Sequence, residues 1–218
     1  MLECIRRESA KIIFASNFGV LIFDKLSKIH MMYAEDYETA NLIVNKIPDN
    51  VKILVVHQKD SLELVYKKFN FTNKMICNNT VYIKKEKLKI FNPNIKIKSL
   101  SEKYKDIITK NYSKINLIKE TYIYERLKSN TMFGAFIDNK LCGFIGTHEE
   151  GSIGMLQVLP EYRGIGIASV LQSVATNKAL DDNRYIYGQV IDGNIASKNL
   201  QKKLGFIFSK DKIYWLFR

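Results

Sequence analysis

The segment 158–168 constrains the fold more than any other part of the chain. It contains a proline and the glycine pair Gly164 and Gly166, and it follows the apolar run Ile153–Val158. After the glycines, apolar residues recur at helical spacing, which predicts a strand, a glycine-rich turn and an amphipathic helix in that order. The first turn of a helix leaves backbone N–H groups unpaired at its positive end. The turn is therefore suited to an anion, and a pyrophosphate is its natural occupant.

Strands and helices alternate on both sides of this turn, which predicts an α/β fold. Asp138-Asn139-Lys140 has the chemistry of a β-hairpin turn. The patterns predict strands over 95–99, 132–137, 141–146, 153–158, 185–191 and 213–217. They predict helices over 101–111 and 117–128, from residue 167 onward, and over 195–204.

The first half of the chain contains a faint copy of this ending. A strand over 53–56, a helical pattern over 64–71 and a strand over 80–83 parallel the last strand, helix and strand. We interpret this as an internal duplication, with one domain at 1–94 and a second at 95–218 joined near the turn 92–94. The alternative is that two strand-helix-strand units have converged on similar apolar patterns.

The formal net charge of +12 raises the question of a polyanionic partner. Lysines are spread along a chain rich in Ile and Asn, however, a composition that an AT-rich genome also produces. The sequence has no recognised nucleic-acid motif, no apolar run long enough to span a bilayer, and no signal-peptide pattern at its start. We therefore expect a cytoplasmic protein with no membrane or nucleic-acid partner.

The cysteines and histidines are too scattered to indicate a disulfide framework or a metal site. They are Cys4, Cys77, Cys142, His30, His57 and His148.

The glycine-rich turn resembles the cofactor motif of the GNAT superfamily of N-acyltransferases, through Arg163, Gly166 and Ala168. Two downstream segments, 194–196 and 203–206, resemble its second motif. The likeness covers roughly residues 152–208 and implies the GNAT fold: a mixed central sheet with splayed parallel strands, flanked by helices. The faint copy makes the first half a smaller, degenerate GNAT-like domain. Together with this duplicated layout, a general likeness to the glycine N-acyltransferase-like branch implies a small amine or amino acid as acceptor.

The resemblance implies that acetyl-CoA lies in a wedge between the strand ending at Val158 and the parallel strand after it. Backbone groups of Leu156, Gln157 and Val158 would pair with the pantetheine arm. Asn194 would contact the pantetheine region, although it also suits a helix N-cap. The amides that would hold the pyrophosphate belong to Arg163, Gly164, Ile165, Gly166, Ile167 and Ala168. Arg163 would add a positive charge, or instead pair with Glu161.

The catalytic residues depart from the pattern of the relatives. Many relatives carry a Glu as base early in the strand before the turn, where this chain has Ser152. Glu150, acting through water, is the preferred base, and His148 is the second choice. The alternative is that 149–151 forms only a solvated turn.

The Tyr that protonates the leaving thiolate in many relatives is replaced here by Gln201. The possible substitutes are Ser197, Tyr185, Tyr187 and Tyr214, and Ser197 is counted in the catalytic set. The alternative for each is a packing role in the core or at the surface. On the acceptor side the resemblance places Tyr104, Tyr112, Tyr122 and Tyr124, with Glu120 and Glu125 available to attract an ammonium group.

Together these features predict an acetyl-CoA-dependent N-acetyltransferase that acts on the primary amine of a small molecule or amino acid. One alternative is a noncatalytic CoA-binding regulatory module, because base and acid are both replaced. Another is a protein- or ribosome-directed acetyltransferase. The oligomeric state stays open between monomer and homodimer.

Overall fold

The structure is a computed structural model, and it describes residues 1–90, 92–119 and 121–218, without the side chain of Leu117. The strands are β1 (Ala10–Ser16), β2 (Gly19–Asp24), β3 (Ile29–Ala34), β4 (Ile53–Val56), β5 (Asn73–Val81), β6 (Lys96–Ser99), β7 (Met132–Ile137), β8 (Lys140–Thr147), β9 (Ile153–Val158), β10 (Tyr187–Ile191) and β11 (Ile207–Phe217). The helices are α1 (Leu2–Arg6), α2 (Tyr37–Lys46), α3 (Leu62–Lys68), α4 (Lys105–Asn111), α5 (Tyr122–Lys128), α6 (Ile167–Asp181) and α7 (Ile195–Lys203).

The chain divides into two compact units. The first comprises Met1–Val81, Gln189–Lys198 and Ile207–Arg218, and the second comprises Tyr82–Gly188 and Asn199–Phe206. These units are defined by contacts between residues and do not test whether the two halves arose by duplication. The duplicated domains at 1–94 and 95–218 remain a prediction.

The first unit is built on a mixed sheet with the strand order β1-β2-β3-β4-β11-β5. β3 and β4 run parallel, whereas β11 is antiparallel to both β4 and β5 and lies between them. Apolar residues of α2 and α3 pack on one core, and Cys4 of α1 belongs to another. The last strand of the chain therefore completes the sheet of the first unit.

The second unit contains the antiparallel strand order β9-β8-β7-β6, and Gly188, at the beginning of β10, pairs in parallel with Ile153 of β9. The turn between β7 and β8 has φ of 47° at Asp138 and 61° at Asn139. Positive φ at both central residues is the conformation that such hairpin turns require, and the hairpin prediction is confirmed.

Helices cover both faces of the second sheet. Ala135 packs with α6 residues in one core, and the next residue, Phe136, packs with α4 and α5 in another. Adjacent strand residues point to opposite faces, so the unit has three layers, helix, sheet and helix. The predicted fold class, α/β with mixed strands flanked by helices, is confirmed.

Several predicted boundaries shift. The helix predicted from 101 begins as a short 3₁₀ turn, Glu102–Tyr104, before α4, and the strand predicted over 80–83 is the end of the longer β5. β5 pairs with β11 from Asn73 onward, and this long-range pairing has no local sequence signal. Among the described helices, none combines the length and apolar character needed to cross a membrane.

Candidate active site

The turn after β9 has an unusual backbone. A short 3₁₀ turn, Pro160–Tyr162, leads into Gly164 with φ of 83° and Gly166 with φ of 90°. These left-handed conformations favour glycine. A Cβ at either position would have no atom within 4 Å, so the space in front of the turn is open. The backbone can therefore approach a ligand closely.

α6 begins at this turn without a side-chain cap, and Gly166 is its N-cap residue. The Val170 N–H donates to the Gly166 carbonyl at 3.2 Å and starts the helical ladder. The N–H groups of the preceding helical residues lie ahead of that bond, at the positive end of a 15-residue helix. The exposed Arg163 donates its Nε–H to the Val158 carbonyl at 3.4 Å. The turn thus presents amides and a guanidinium group to a negatively charged ligand.

β9 carries a β-bulge shortly before the turn. Within the described chain, the ladder between β9 and β10 registers only at Ile153 and Gly188. The pairing of β9 with β8 shifts register between Gly154 and Gln157, and Met155 has φ of 55° within this β-bulge. A non-glycine residue with positive φ is uncommon, and bulges redirect backbone groups locally. The later part of β9 is half-buried.

A buried polar cluster lies at the beginning of β9. The side chain of Ser152 donates a hydrogen bond to the carboxylate of Glu150, and both residues are buried. The Tyr187 hydroxyl donates to the Glu150 carbonyl at 2.7 Å, and the His148 N–H donates to the Ser152 carbonyl at 2.8 Å. The Glu150 side chain is therefore enclosed rather than solvated, and it reaches the serine that stands where many relatives have a Glu.

His148 lies beside this carboxylate and against the strand. Its Nδ1 is 2.7 Å from the Tyr122 hydroxyl. A Cβ at Gly154 would lie only 2.6 Å from its Nε2, so the absence of a side chain there makes room for the imidazole. Burial lowers the pKa of His148, partly opposed by the negative charge of Glu150. The imidazole is consequently neutral at pH 7 and competent to accept a proton.

Aromatic and charged groups enclose the other side of the cluster. Burial, reinforced by the charge of Glu150, raises the pKa of Tyr112 to about 12 and also raises the pKa of Tyr122. Arg126 and Glu149 form an ion pair at 3.4 Å, and burial raises the pKa of this Glu149 carboxyl. The phenols therefore stay protonated at neutral pH.

The other acceptor-side residues have separate places. Tyr104 packs edge-on against Phe136, and Tyr124 is exposed. Glu125 lies in α5, whereas Glu120 lies outside the described residues.

Gln201 is buried, and its amide donates to the Gln172 side-chain oxygen at 3.3 Å. Its position provides no proton donor to replace the tyrosine of the relatives. Tyr185 is exposed, Tyr187 is bound to the Glu150 carbonyl, and Tyr214 belongs to the core of the first unit.

Asn194 caps α7, because its side-chain oxygen accepts the Ser197 N–H at 3.0 Å. Both residues belong to the first compact unit. The predicted contact of Asn194 with pantetheine and the predicted catalytic role of Ser197 stay predictions.

Sequence reasoning did not identify Gly154, Met155 or Arg126 as parts of this site. A glycine inside a strand often marks a bulge or a close approach, and this signal was available at Gly154. No local signal marks Met155, whose conformation depends on pairing with β8. Within the described residues, no group of three or more His, Cys, Asp or Glu side chains is arranged to hold a metal ion.

Residues 102–214 match the family model described as an acetyltransferase (GNAT) domain. No curated protein sequence matches the chain. An X-ray structure of a Drosophila protein is similar with a TM-score of 0.74 at 12% identity, covering 93% of this chain and 75% of that one.

Two further solved structures extend the likeness. A putative GNAT acetyltransferase from Novosphingobium aromaticivorans has a TM-score of 0.58 at 14% identity and covers 98% of this chain and 93% of that one. A tandem GNAT protein from the clavulanic acid biosynthesis pathway has a TM-score of 0.53 at 10% identity, with 95% and 83% covered. At these identities the structural likeness concerns the fold alone.

Proposed function

The chain belongs to the GNAT acetyltransferase family, and on that premise we propose that it transfers an acetyl group from acetyl-CoA to a primary amine of a small molecule or amino acid. The observation that carries the proposal is the open, left-handed glycine turn between the bulged strand β9 and the uncapped start of α6. The turn lies in the same compact unit as the buried Glu150 cluster.

The residues of the turn fit a CoA diphosphate. Backbone amides from Arg163 to Ala168 would hold its oxygens, and the Arg163 side chain would add a positive charge. Backbone groups of Leu156, Gln157 and Val158 would pair with the pantetheine arm, because this part of β9 has no described ladder pair with β10. The diphosphate at the turn and the extended arm along β9 would direct the thioester toward the bulge.

The acceptor amine must lose a proton to attack the thioester carbonyl. Glu150 would take that proton through a water molecule, and its hydrogen bond from Ser152 holds the carboxylate in one orientation. His148 is the second choice because its half-buried imidazole, whose pKa is lowered by desolvation, is neutral. A backbone N–H on bulged β9 would stabilise the negative charge that develops on the carbonyl oxygen. Direct attack requires no covalent enzyme intermediate.

The test measures turnover of acetyl-CoA with a panel of candidate acceptors. The purified chain is incubated with acetyl-CoA and individual amines, amino acids and short peptides, and release of free CoA thiol is measured. At least one small amine or amino acid should release thiol in proportion to enzyme concentration. Thiol release with peptides alone would contradict a small-molecule acceptor and favour a protein-directed enzyme.

A noncatalytic CoA-binding module is the second candidate, favoured by one observation. Neither Ser152 nor the buried Gln201 supplies the ionisable group that relatives carry at these positions. If CoA raises the melting temperature while the whole panel releases no thiol, the enzyme proposal is wrong and the module is supported.

A further inference from the structure

We propose that the segment between β5 and β6 forms a binding site for the 3′-phosphorylated adenosine end of CoA. We call residues 82–90 and 92 of this segment the strap. The inference rests on the proposed function, since it assigns the far end of the same coenzyme. The strap itself lies outside the glycine turn and outside both sequence motifs.

Hydrogen bonds hold the strap against α6. The side-chain amide of Asn177 bonds the backbone of Leu88 twice, accepting its N–H at 2.7 Å and donating to its carbonyl at 2.9 Å. Further along, the Asn92 side chain donates to the Ile165 carbonyl at 3.4 Å. The strap is thus fixed at the middle of α6 and at the glycine turn. A segment held in this way loses little conformational entropy when a ligand binds.

The strap encloses a cleft of about 590 Å³ together with the start of α6 and the turn at Gly205. This volume lies in the range of small-molecule sites, roughly 300 to 1,000 Å³. Val170, Leu204 and Leu88 provide apolar walls suited to a flat base. Ile165 and Gly166 line the cleft and also belong to the glycine turn, so the two sites are continuous.

Positive charge dominates the lining of the cleft. Lys84, Lys89 and Lys203 line it, and the acidic residue in the lining is Glu86. Lys87 also lines the cleft but is engaged at 2.7 Å with Asp181. The backbone of Glu86 is held by the Tyr82 hydroxyl, which donates to its carbonyl at 2.9 Å. The cleft therefore has apolar walls and three lysines that take no part in the ion pair with Asp181. This combination suits a ligand that carries both a base and a phosphate.

The chemistry of the coenzyme matches this arrangement. One end of its diphosphate leads to pantetheine, and the other end carries a ribose with adenine and a 3′-phosphate. With the diphosphate at the turn and pantetheine along β9, that ribose must lie within one sugar length of Gly166. The cleft borders this residue, and Lys84, Lys89 and Lys203 are among the residues that line it.

The experiment compares CoA with 3′-dephospho-CoA by calorimetric titration of the full chain. The test variant is the double substitution Lys84→Ala with Lys89→Ala. The matched control is Lys85→Ala with Lys96→Ala, because it removes two exposed lysines that do not line the cleft. Unliganded melting temperatures establish that all variants are folded.

We expect the wild-type chain to bind CoA on the order of tenfold more tightly than dephospho-CoA, as expected for partly screened phosphate contacts. The test variant should lose that preference and bind both ligands about equally, whereas the control variant should keep it. A test variant that keeps the full preference would overturn the strap site. So would a wild-type chain that binds both ligands equally, which leaves the proposed function intact. If the wild-type chain binds neither ligand, the proposed function fails with it.

Discussion

Replacing Gly166 by glutamate should abolish tight CoA binding while leaving the chain folded. Its φ of 90° places it in the left-handed region, and a side chain there would project into open space in front of the turn. Left-handed backbone costs an L-residue about 1–2 kcal/mol. For a chain of this size, that corresponds to a fall in melting temperature of about 2–4 °C per kcal/mol.

The effect on affinity is larger because the new carboxylate faces the diphosphate. Two like charges about 4 Å apart repel by about 4 kcal/mol at an effective dielectric constant of 20. If screening by solvent and salt halves this repulsion energy, about 2 kcal/mol remains, which corresponds to about a thirtyfold weaker affinity for CoA.

Two controls separate backbone strain from charge in calorimetric titration with CoA. Gly166→Ala introduces the strain without the charge. Asn130→Glu introduces a negative charge at another exposed, left-handed position of the second unit, with φ of 54°. Only Gly166→Glu should show the full loss. Wild-type affinity in folded Gly166→Glu protein would refute the assignment of the diphosphate to this turn, and the proposed chemistry would lose its basis.

Further predictions concern the polar cluster and acid stability. Glu150→Gln keeps an oxygen that can accept from Ser152, so it should lower kcat about 10²- to 10⁴-fold with unchanged acetyl-CoA affinity; an unchanged kcat would exclude Glu150 as the base. Gly154→Ala should destabilise the fold by about 1–3 kcal/mol in denaturant unfolding, because its Cβ would lie 2.6 Å from His148 Nε2. The cost should largely vanish in a His148→Ala background, and an equal cost there would contradict the contact. Burial lowers the pKa of His57 to about 3, so its contribution to stability is complete above pH 6.5 and is lost as the pH falls toward 3. As the pH falls from 6.5 to 5, the extra loss of stability in the wild-type chain relative to His57→Gln should steepen to about 1.4 kcal/mol per pH unit, and parallel pH profiles would contradict a neutral His57.

Much of the second unit was predictable because its signals are local. The apolar run Ile153–Val158, the glycine pair and the helical spacing after it predicted a strand, turn and helix that the structure contains. Asp138-Asn139 predicted the hairpin for the same reason, since turn conformation depends on the residues in the turn.

The catalytic side was less predictable. The sequence suggested Glu150 and His148 but left a solvated turn as an alternative, and the burial of Glu150 beside Ser152 emerges only in three dimensions. The bulge at Met155 depends on the register between β8 and β9. The sequence of β9 alone does not indicate that register.

By itself the sequence determined the glycine-rich turn before α6, because such a strand-to-helix connection carries its own backbone preferences within a few residues. Only the tertiary structure decided that the last strand, β11, lies between β4 and β5 in the first unit, and that the strap closes a lysine-lined cleft against α6. Both features join segments far apart in the chain. Their stability comes from pairing and burial between those segments, which local sequence patterns do not encode.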